Sequence, residues 1–558
     1  MLATLDQVSG KSFDYVIIGG GTTGLVVAAR LSEDSSVSVL VLEAGASNLN
    51  DPAIHPYTWA GTPSPRNTYH CGHSFQYSGK TLGGSSSINF FQFHLPSATD
   101  IDAFEKLGNK GWNWETLKRY YTKVEKFLYP QVKDDIMRFD VREHGFAGDV
   151  SRTLKRINPS HVTQVTGVWL SPLTISPKTR TRSYSANMYY EPHASRNNLI
   201  VLTSAHVAKI SLSRGAGGEA TAEGVSFLHE GKEYRVFVRK EVIILELSGI
   251  GNADVLRKAG VEVFVDLPGV GNNVQEHYNS SVKEELESEY LTVDCLNDPD
   301  KLQKQTELYH AGEKGVFDTK PALMAYAALS VISPDAQTLQ AKYLASIQAR
   351  IDAGDYPPGL QKQYKLQLEH IKAQVPSHEI ILHPSTPDPT RKYACLMSMS
   401  NNPFSRGSIH IKSSNPLEYP AIDPHYFEEE YDIRSLAESV KFTRRLAQQE
   451  PFKRILTDPF VSSLDEERFP GPAVQTDEEI LEFLRDDVKT TFHTVGSCSM
   501  LPHEDGGVVD NKLKVYGTTN IRVMDISIVP LHFAAHTQAT AYAIGEFGAD
   551  IIRGRVHF

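Results

Sequence analysis

The stretch Phe13-Asp-Tyr-Val-Ile-Ile-Gly-Gly-Gly-Thr-Thr-Gly24 runs into the apolar Leu25–Leu31, then into Val37–Leu42 ending at Glu43. Phe13 to Ile18 reads as a short buried strand, the glycines as a tight turn, and the segment with Ala28 and Ala29 as a helix. Strand, turn, helix and strand in that order open a parallel sheet. In this reading Gly19 makes the turn, Gly21 lets a pyrophosphate approach the backbone, and Gly24 lets helix pack on strand. Thr22 and Thr23 begin a helix whose unpaired N–H groups and dipole favour phosphate. Glu43, followed by Ala44, stands 19 residues after Gly24, where an acid accepts hydrogen bonds from ribose hydroxyls. With 39 glycines in 558 residues, three fixed glycines alone arise by chance in about one such chain in five. The strand, the helix and the acid together carry the reading.

Outward from this unit the pattern changes. Asp335–Ala353 and Gly359–Ala373 read as charged helices on either side of the Pro357–Pro358 break. Glu379–His383, Tyr393–Ser400 and Gly407–Lys412 read as strands of an antiparallel sheet. Ile433–Gln449 and Asp477–Asp487 read as helices. The last sixty residues return to a strand, Ile521–Asp525, and a helix, Thr537–Ile552. The dinucleotide unit thus starts at the N-terminus and is completed at the C-terminus, with a second domain inserted. Hydrophobic residues at 40% and charged residues at 22% are an ordinary globular balance, which excludes wholesale disorder. A net charge of −11 disfavours a nucleic-acid partner. No apolar run approaches a membrane span, and the first residues lack a basic, apolar leader, so a cytoplasmic or otherwise intracellular location is expected. Cys71, Cys295, Cys395 and Cys498 are scattered and form no metal-ligand spacing, so no metal is expected. Without a leader, the sequon Asn279-Ser-Ser281 is read as chance.

Residues 79–102 read Gly-Lys-Thr-Leu-Gly-Gly-Ser-Ser-Ser-Ile-Asn-Phe-Phe-Gln-Phe-His-Leu-Pro-Ser-Ala-Thr-Asp-Ile-Asp. Position by position this resembles the first signature of the glucose–methanol–choline (GMC) oxidoreductases, which are FAD enzymes. Gly79, Lys80, Gly83, Gly84, Ser85, Ser86, Asn89, Phe93, Pro96 and Asp102 fall on its residue classes. Small residues at 83–87 let backbone lie against a flavin, and Asn89 offers an amide to its polar edge. The resemblance continues through most of the chain. Thr203–Val207 is similar to the strand whose valine, here Val207, touches adenine. Leu267–Gly271 is similar to the turn after the second glycine-rich motif. Asn520–Pro530 and His536–Thr540 resemble the closing FAD segment, which puts Asp525 and Ile526 by the ribityl–phosphate chain and Thr537 and Gln538 by the isoalloxazine.

The resemblance implies an α/β fold: a FAD-binding Rossmann-like domain with an inserted α+β substrate-binding domain (antiparallel sheet plus helices). Residues 1–150, 195–285 and 500–558 are expected in the former, and 151–194 and 286–499 in the latter. It also implies oxidation of the CH–OH group of a small-molecule alcohol, such as an intermediate of secondary metabolism, with O₂ or another acceptor taking the electrons. Two histidines are expected to carry it. His493, in Phe-His-Thr-Val-Gly, is the base for the hydroxyl proton, because an imidazole can take a proton at neutral pH. His536 aligns the hydroxyl and stabilises charge developing on its oxygen. His532 is read as a decoy, and His94 and His277 as structural. The pattern departs at two points. Ile88 stands where the choline-oxidase branch has the histidine that links FAD covalently, so non-covalent FAD is expected. Formate oxidases carry arginine where His536 stands, which argues against formate. Of the second signature, Leu247-Ser-Gly-Ile-Gly251 is intact, while Val236, Phe237, Lys240 and Glu241 replace the small residues and Ser/Thr-Pro of its front half. Strand Glu241–Leu245 is thus expected to run straight into the turn. The alternatives left open are a lyase or cyclase of the same family that keeps FAD as scaffold, and a defective relic.

Overall fold

The computed structural model describes residues 2–49, 68–69, 78–128, 147–148, 150–153, 167–170, 172–176, 179, 181–215, 217–242, 246–287, 289–290, 292, 295–296, 298–313, 315–316, 323–383, 392–457 and 474–558. Cys71 and residues 243–245, the end of the strand expected at 241–245, lie outside them.

Ser12–Ile18 and Val39–Leu42 are strands joined through the helix Thr22–Leu31. They pair in parallel, Tyr15 opposite Val39 and Ile18 opposite Leu42. Leu199–Leu202 adds in parallel outside Val39–Leu42, and Lys232–Val242 adds in parallel on the other side of Ser12–Ile18. Ala220–His229 and His206–Arg214 then continue antiparallel and complete six strands. The inner strand Val39–Leu42 is apolar at every position and buried on both faces, as a covered parallel strand requires. Helix Gln538–Ile552, apolar nearly all round, lies in the same core against Thr22–Leu31. Gly545 makes that contact possible, since a Cβ there would come within 2.9 Å of the Val26 Cβ. The N-terminal and C-terminal ends of the chain therefore build one domain.

The second sheet is antiparallel throughout, in the order Lys489–Thr490, Tyr278–Glu285, Tyr393–Ser400, His378–His383, Leu323–Ala327, Gly167–Leu170. Helices Glu430–Ala447 and Asp477–Asp487 cover it through Ile433, Leu436, Val440 and Leu484. Ala336–Ala353 and Pro358–Lys372 form a further helical layer around Phe404 and Tyr431. Among the described residues no helix is long and apolar enough to cross a membrane.

Three expectations change. Ile521–Asp525 forms no ladder: Val515 N and Val523 N donate to Ile521 O and Leu513 O in a local loop-back, and a 3₁₀ turn begins at Ile526. Ser408–His410 joins neither large sheet; among the described residues its ladder partner is Ala421–Asp423, and Ile409 N donates to Gly271 O. The boundaries set at 285 and 194 also fall elsewhere in the packing. Strand Tyr278–Glu285 belongs to the second sheet by its pairing with Tyr393–Ser400, and Tyr184–Tyr190 packs into the first core.

Candidate active site

The glycine-rich loop is built on backbone contact. Gly19 is left-handed at φ +97°, and a Cβ on Gly24 would sit 2.1 Å from Gly19 O. Gly21 caps helix Thr22–Leu31 without any side chain bonding the first turn, so its N–H groups stay available to an anion. The 83–89 segment rides on this loop: Gly83 N donates to Gly20 O at 2.7 Å, and a Cβ on Gly84 would come within 2.7 Å of Gly21 Cα. Glu43 is 5% exposed and accepts from Gly20 N at 2.8 Å and Gly45 N at 2.7 Å. Burial lifts its carboxyl to about 7 against the pull of those amides. Ala205 N donates to Glu43 O, which brings the start of the Val207 strand alongside.

Asn89 Oδ1 accepts from Arg182 Nη1 at 2.8 Å and from Phe91 N at 3.0 Å, which fixes the amide with its NH₂ side turned away from both. Asp525 caps the Ile526–Ile528 turn, its carboxylate bonded to Ser527 N. Thr537 and Gln538 are buried at the start of the last helix. These residues fit a dinucleotide. The close glycine loops leave a cradle that side chains would fill, and among the described residues Asn48 Nδ2 and both amide atoms of Gln538 are buried without a hydrogen-bond partner.

A cluster of titratable rings lies where the two sheets meet. Five histidine rings gather there from four segments: His94, His277, His493, His532 and His536. His277 stacks on His532 with ring centres 3.6 Å apart, and His493 meets His277 and His536 edge-on at 5.1 and 4.6 Å. His94 meets His536 at 4.8 Å. His94, His277 and His532 are at most 6% exposed, whereas His493 and His536 keep partial exposure. The two exposed rings are the two singled out by sequence.

His493 is held on three sides. Its N–H donates to Glu276 Oε1 at 2.8 Å, and its Nδ1 lies 3.0 Å from His277 Nδ1 and 3.1 Å from Thr491 Oγ1. This leaves Nε2 facing the site. Desolvation and the neighbouring rings hold its imidazole well below the usual value, so it is neutral and able to accept a proton. His532 accepts from Phe533 N at Nδ1, so its Nε2–H is the group that donates to His493 O at 2.9 Å. Burial pushes it down to about 3, and it acts as a fixed neutral brace. His536 Nε2 lies 2.8 Å from Oε1 of Glu379, which is fully buried, and Asn401 Nδ2 donates to the other oxygen at 3.2 Å. Glu276, Glu379 and Asn401 escaped sequence reasoning, and His277 was read there as structural, without its contact to His493. For Glu379 a signal existed, a carboxylate between His378 and the apolar Ile380 and Ile381, but nothing in the sequence names the ring that it meets.

A Rossmann-like dinucleotide domain, an antiparallel substrate sheet and a paired-histidine site between them define a flavin-dependent oxidoreductase. Family profiles described as GMC oxidoreductase match residues 13–279 and 403–545. The dehydrogenase mpl7 of Monascus purpureus is 32% identical over 97% of this chain and 96% of its own. The GMC oxidoreductase family protein Mala s 12 of Malassezia sympodialis is 31% identical over 98% and 93%. A solved structure described as a new fungal aryl-alcohol oxidase superposes with a TM-score of 0.82 at 26% identity, covering 97% of this chain and 99% of that one. The chain belongs to the GMC oxidoreductase family, whose members and structural neighbours include FAD-dependent oxidases and dehydrogenases.

Proposed function

We propose that the protein oxidises the CH–OH group of a small alcohol, an intermediate of secondary metabolism, with FAD bound non-covalently. The observation that carries this reading is the pair of partly exposed rings, His493 and His536, 4.6 Å apart among buried neighbours. FAD supplies the hydride acceptor when bound, and the residues that would hold it are the 19–24 and 83–89 loops, Glu43, Val207, Asp525, Ile526, Thr537 and Gln538. His493 Nε2 takes the hydroxyl proton, its Nδ1 and backbone being fixed by His277, Thr491 and Glu276. His536, oriented by Glu379, holds the oxygen in line and shares the charge that develops on it. Electrons then leave to O₂ or another acceptor.

Anaerobic mixing with a panel of primary alcohols tests this. Bleaching of the flavin absorbance by a panel member is the expected result. Turnover without bleaching would instead make the protein a lyase that uses FAD as scaffold. A colourless purified chain that takes up no FAD would make it a relic.

A further inference from the structure

We propose that His94, Glu379 and His536 bind a divalent cation of the zinc type, and that a cation held there blocks the histidine the alcohol needs. Each residue offers one ligand atom, and the three atoms lie within 4.8 Å of one another. They come from three separate parts of the fold: the later half of the 79–102 segment, an inner strand of the second sheet, and the turn that leads into the last helix. Glu379 is fully buried and His94 is 6% exposed.

The donor set decides the class of ion. Two imidazoles and one carboxylate suit zinc or cobalt, whereas magnesium and calcium want oxygen ligands. Three protein ligands with a fourth position open are also the arrangement of accessible zinc sites. Tetrahedral zinc with bonds of about 2.0–2.1 Å spaces its ligand atoms about 3.3 Å apart. His536 Nε2 and Glu379 Oε1 are already at 2.8 Å, so closure asks for roughly an ångström of movement, mainly from His94.

A supporting layer stands behind these ligands, as ligating groups require. Asn401 Nδ2 donates to Glu379 Oε2 at 3.2 Å, and the Tyr326 hydroxyl lies 3.4 Å from His94 Nδ1. Charge points the same way. Among the described residues, the ion-pair partner of the buried Glu379 carboxylate is His536, a group charged only when protonated, and no lysine or arginine pairs with it. A buried carboxylate calls for a lasting positive partner, which a divalent cation supplies.

The test uses chelator-treated, FAD-loaded protein titrated with Co²⁺. Saturable binding of one equivalent, seen as a ligand-field band to the red of the flavin and abolished by Zn²⁺, is expected. Glu379→Gln and His94→Gln should each weaken cobalt binding by at least about tenfold. His493→Gln, which removes a neighbouring ring but no ligand, should retain both FAD and cobalt. Absence of saturable binding, or binding that survives both ligand substitutions, overturns the site. A second arm follows flavin bleaching by alcohol. The rate should fall in step with zinc occupancy and return on chelation, and bleaching unchanged at saturating zinc overturns the block. The cobalt arm needs no turnover, so it stands or falls separately from the alcohol-oxidation reading.

Discussion

In the proposed reaction His493 and His536 act on one hydroxyl, and the fold gives each its own support. Replacing His493 with alanine removes the proposed proton acceptor. FAD should stay bound while single-turnover flavin reduction slows by ~10²–10⁴-fold. His536→Ala should cost a comparable factor through lost alignment, and the double variant should fall well short of the product of the two, since both side chains serve the same transition state. His425→Ala, on an exposed loop, is the silent comparison. His532 is unsuitable for that purpose because it stacks on His277 and braces the His493 carbonyl. Equal rates for all these variants would remove both histidines from the chemistry. Glu43 lends itself to a second residue-level test. Its carboxylate already ties Gly20 N and Gly45 N together, so Glu43→Ala loosens the loop as well as any ribose contact. Losing a charge-assisted contact of about 1.5–3 kcal/mol should weaken FAD binding roughly tenfold to a hundredfold, read by FAD titration of the apoprotein. Undiminished affinity would make Glu43 a brace for the loop and nothing more.

Helices and strands were legible where burial and periodicity agreed. The opening unit, Tyr393–Ser400 and Asp477–Asp487 follow from short continuous apolar runs or capping, the last through the Thr476–Glu479 capping box. Ile521–Asp525 looked like a strand because apolar residues alternate there, yet its partners are a loop a few residues upstream, and alternation does not encode a partner. Elements also join through pairs that sequence hides. Glu546 on the last helix is fully buried between Arg30 on the first and Lys123 on Trp114–Val124, with Tyr189 donating to it. Glu546→Leu would leave the partly exposed Arg30 and Lys123 with Glu33 and Asp550 as remaining acidic partners, and a loss of about 1–3 kcal/mol in denaturant unfolding is expected. A change below the measurement error would show that the cations find water. Strand Tyr278–Glu285 carries a pH-dependent element of stability. Burial holds the Glu284 carboxyl up at about 7 despite the Arg444 guanidinium. The folded chain binds that proton more tightly than the unfolded one, so ionisation costs stability. That cost is absent below about pH 4.5, grows as pH rises, and is complete above about 7, reaching up to about 3 kcal/mol. Glu284→Gln does not titrate, so its stability relative to the parent should improve by that amount from pH 4.5 to pH 8. A constant offset across this range would mean that the carboxylate is solvated in the folded chain.

At the scale of the whole molecule, the proposed cofactor site is assembled from pieces that are remote in the chain. The 19–24 loop, Glu43, the 83–89 segment, Val207 and the 525–538 region converge only because both ends of the chain share one core. Motifs marked these pieces in the sequence, since phosphate and flavin need small residues at set spacings. The histidine cluster was half legible: His493, His536 and His94 sit in segments that motifs mark, but no motif gives His94 its partner ring, and His277 and Glu379 arrive through sheet topology. Between the halves, Lys232–Val242 takes Val236, Phe237, Lys240 and Glu241 into the sheet, with Glu241 paired to Arg522. These residues serve as a strand joining the N-terminal unit to the C-terminal segment. A ligand touching so many remote segments acts as a staple on the folded state. Ile88 offers no atom for a bond to flavin, so the staple is expected to be reversible. Acid precipitation should then release the yellow colour into solution, and colour retained on the chain would place the linkage elsewhere. The reversible case carries a quantitative consequence. A ligand that binds only the folded state adds RT ln(1 + [L]/Kd), about 2.7 kcal/mol at a hundredfold excess over Kd and about 4.1 at a thousandfold. The apoprotein's unfolding midpoint should therefore climb with the logarithm of added FAD, whereas riboflavin, which lacks the pyrophosphate and ribose that the glycine loop and Glu43 address, should move it far less. Equal shifts from both ligands would mean that the adenosine half of the site contributes nothing, and the reading of Gly19 to Glu43 as its cradle would fall.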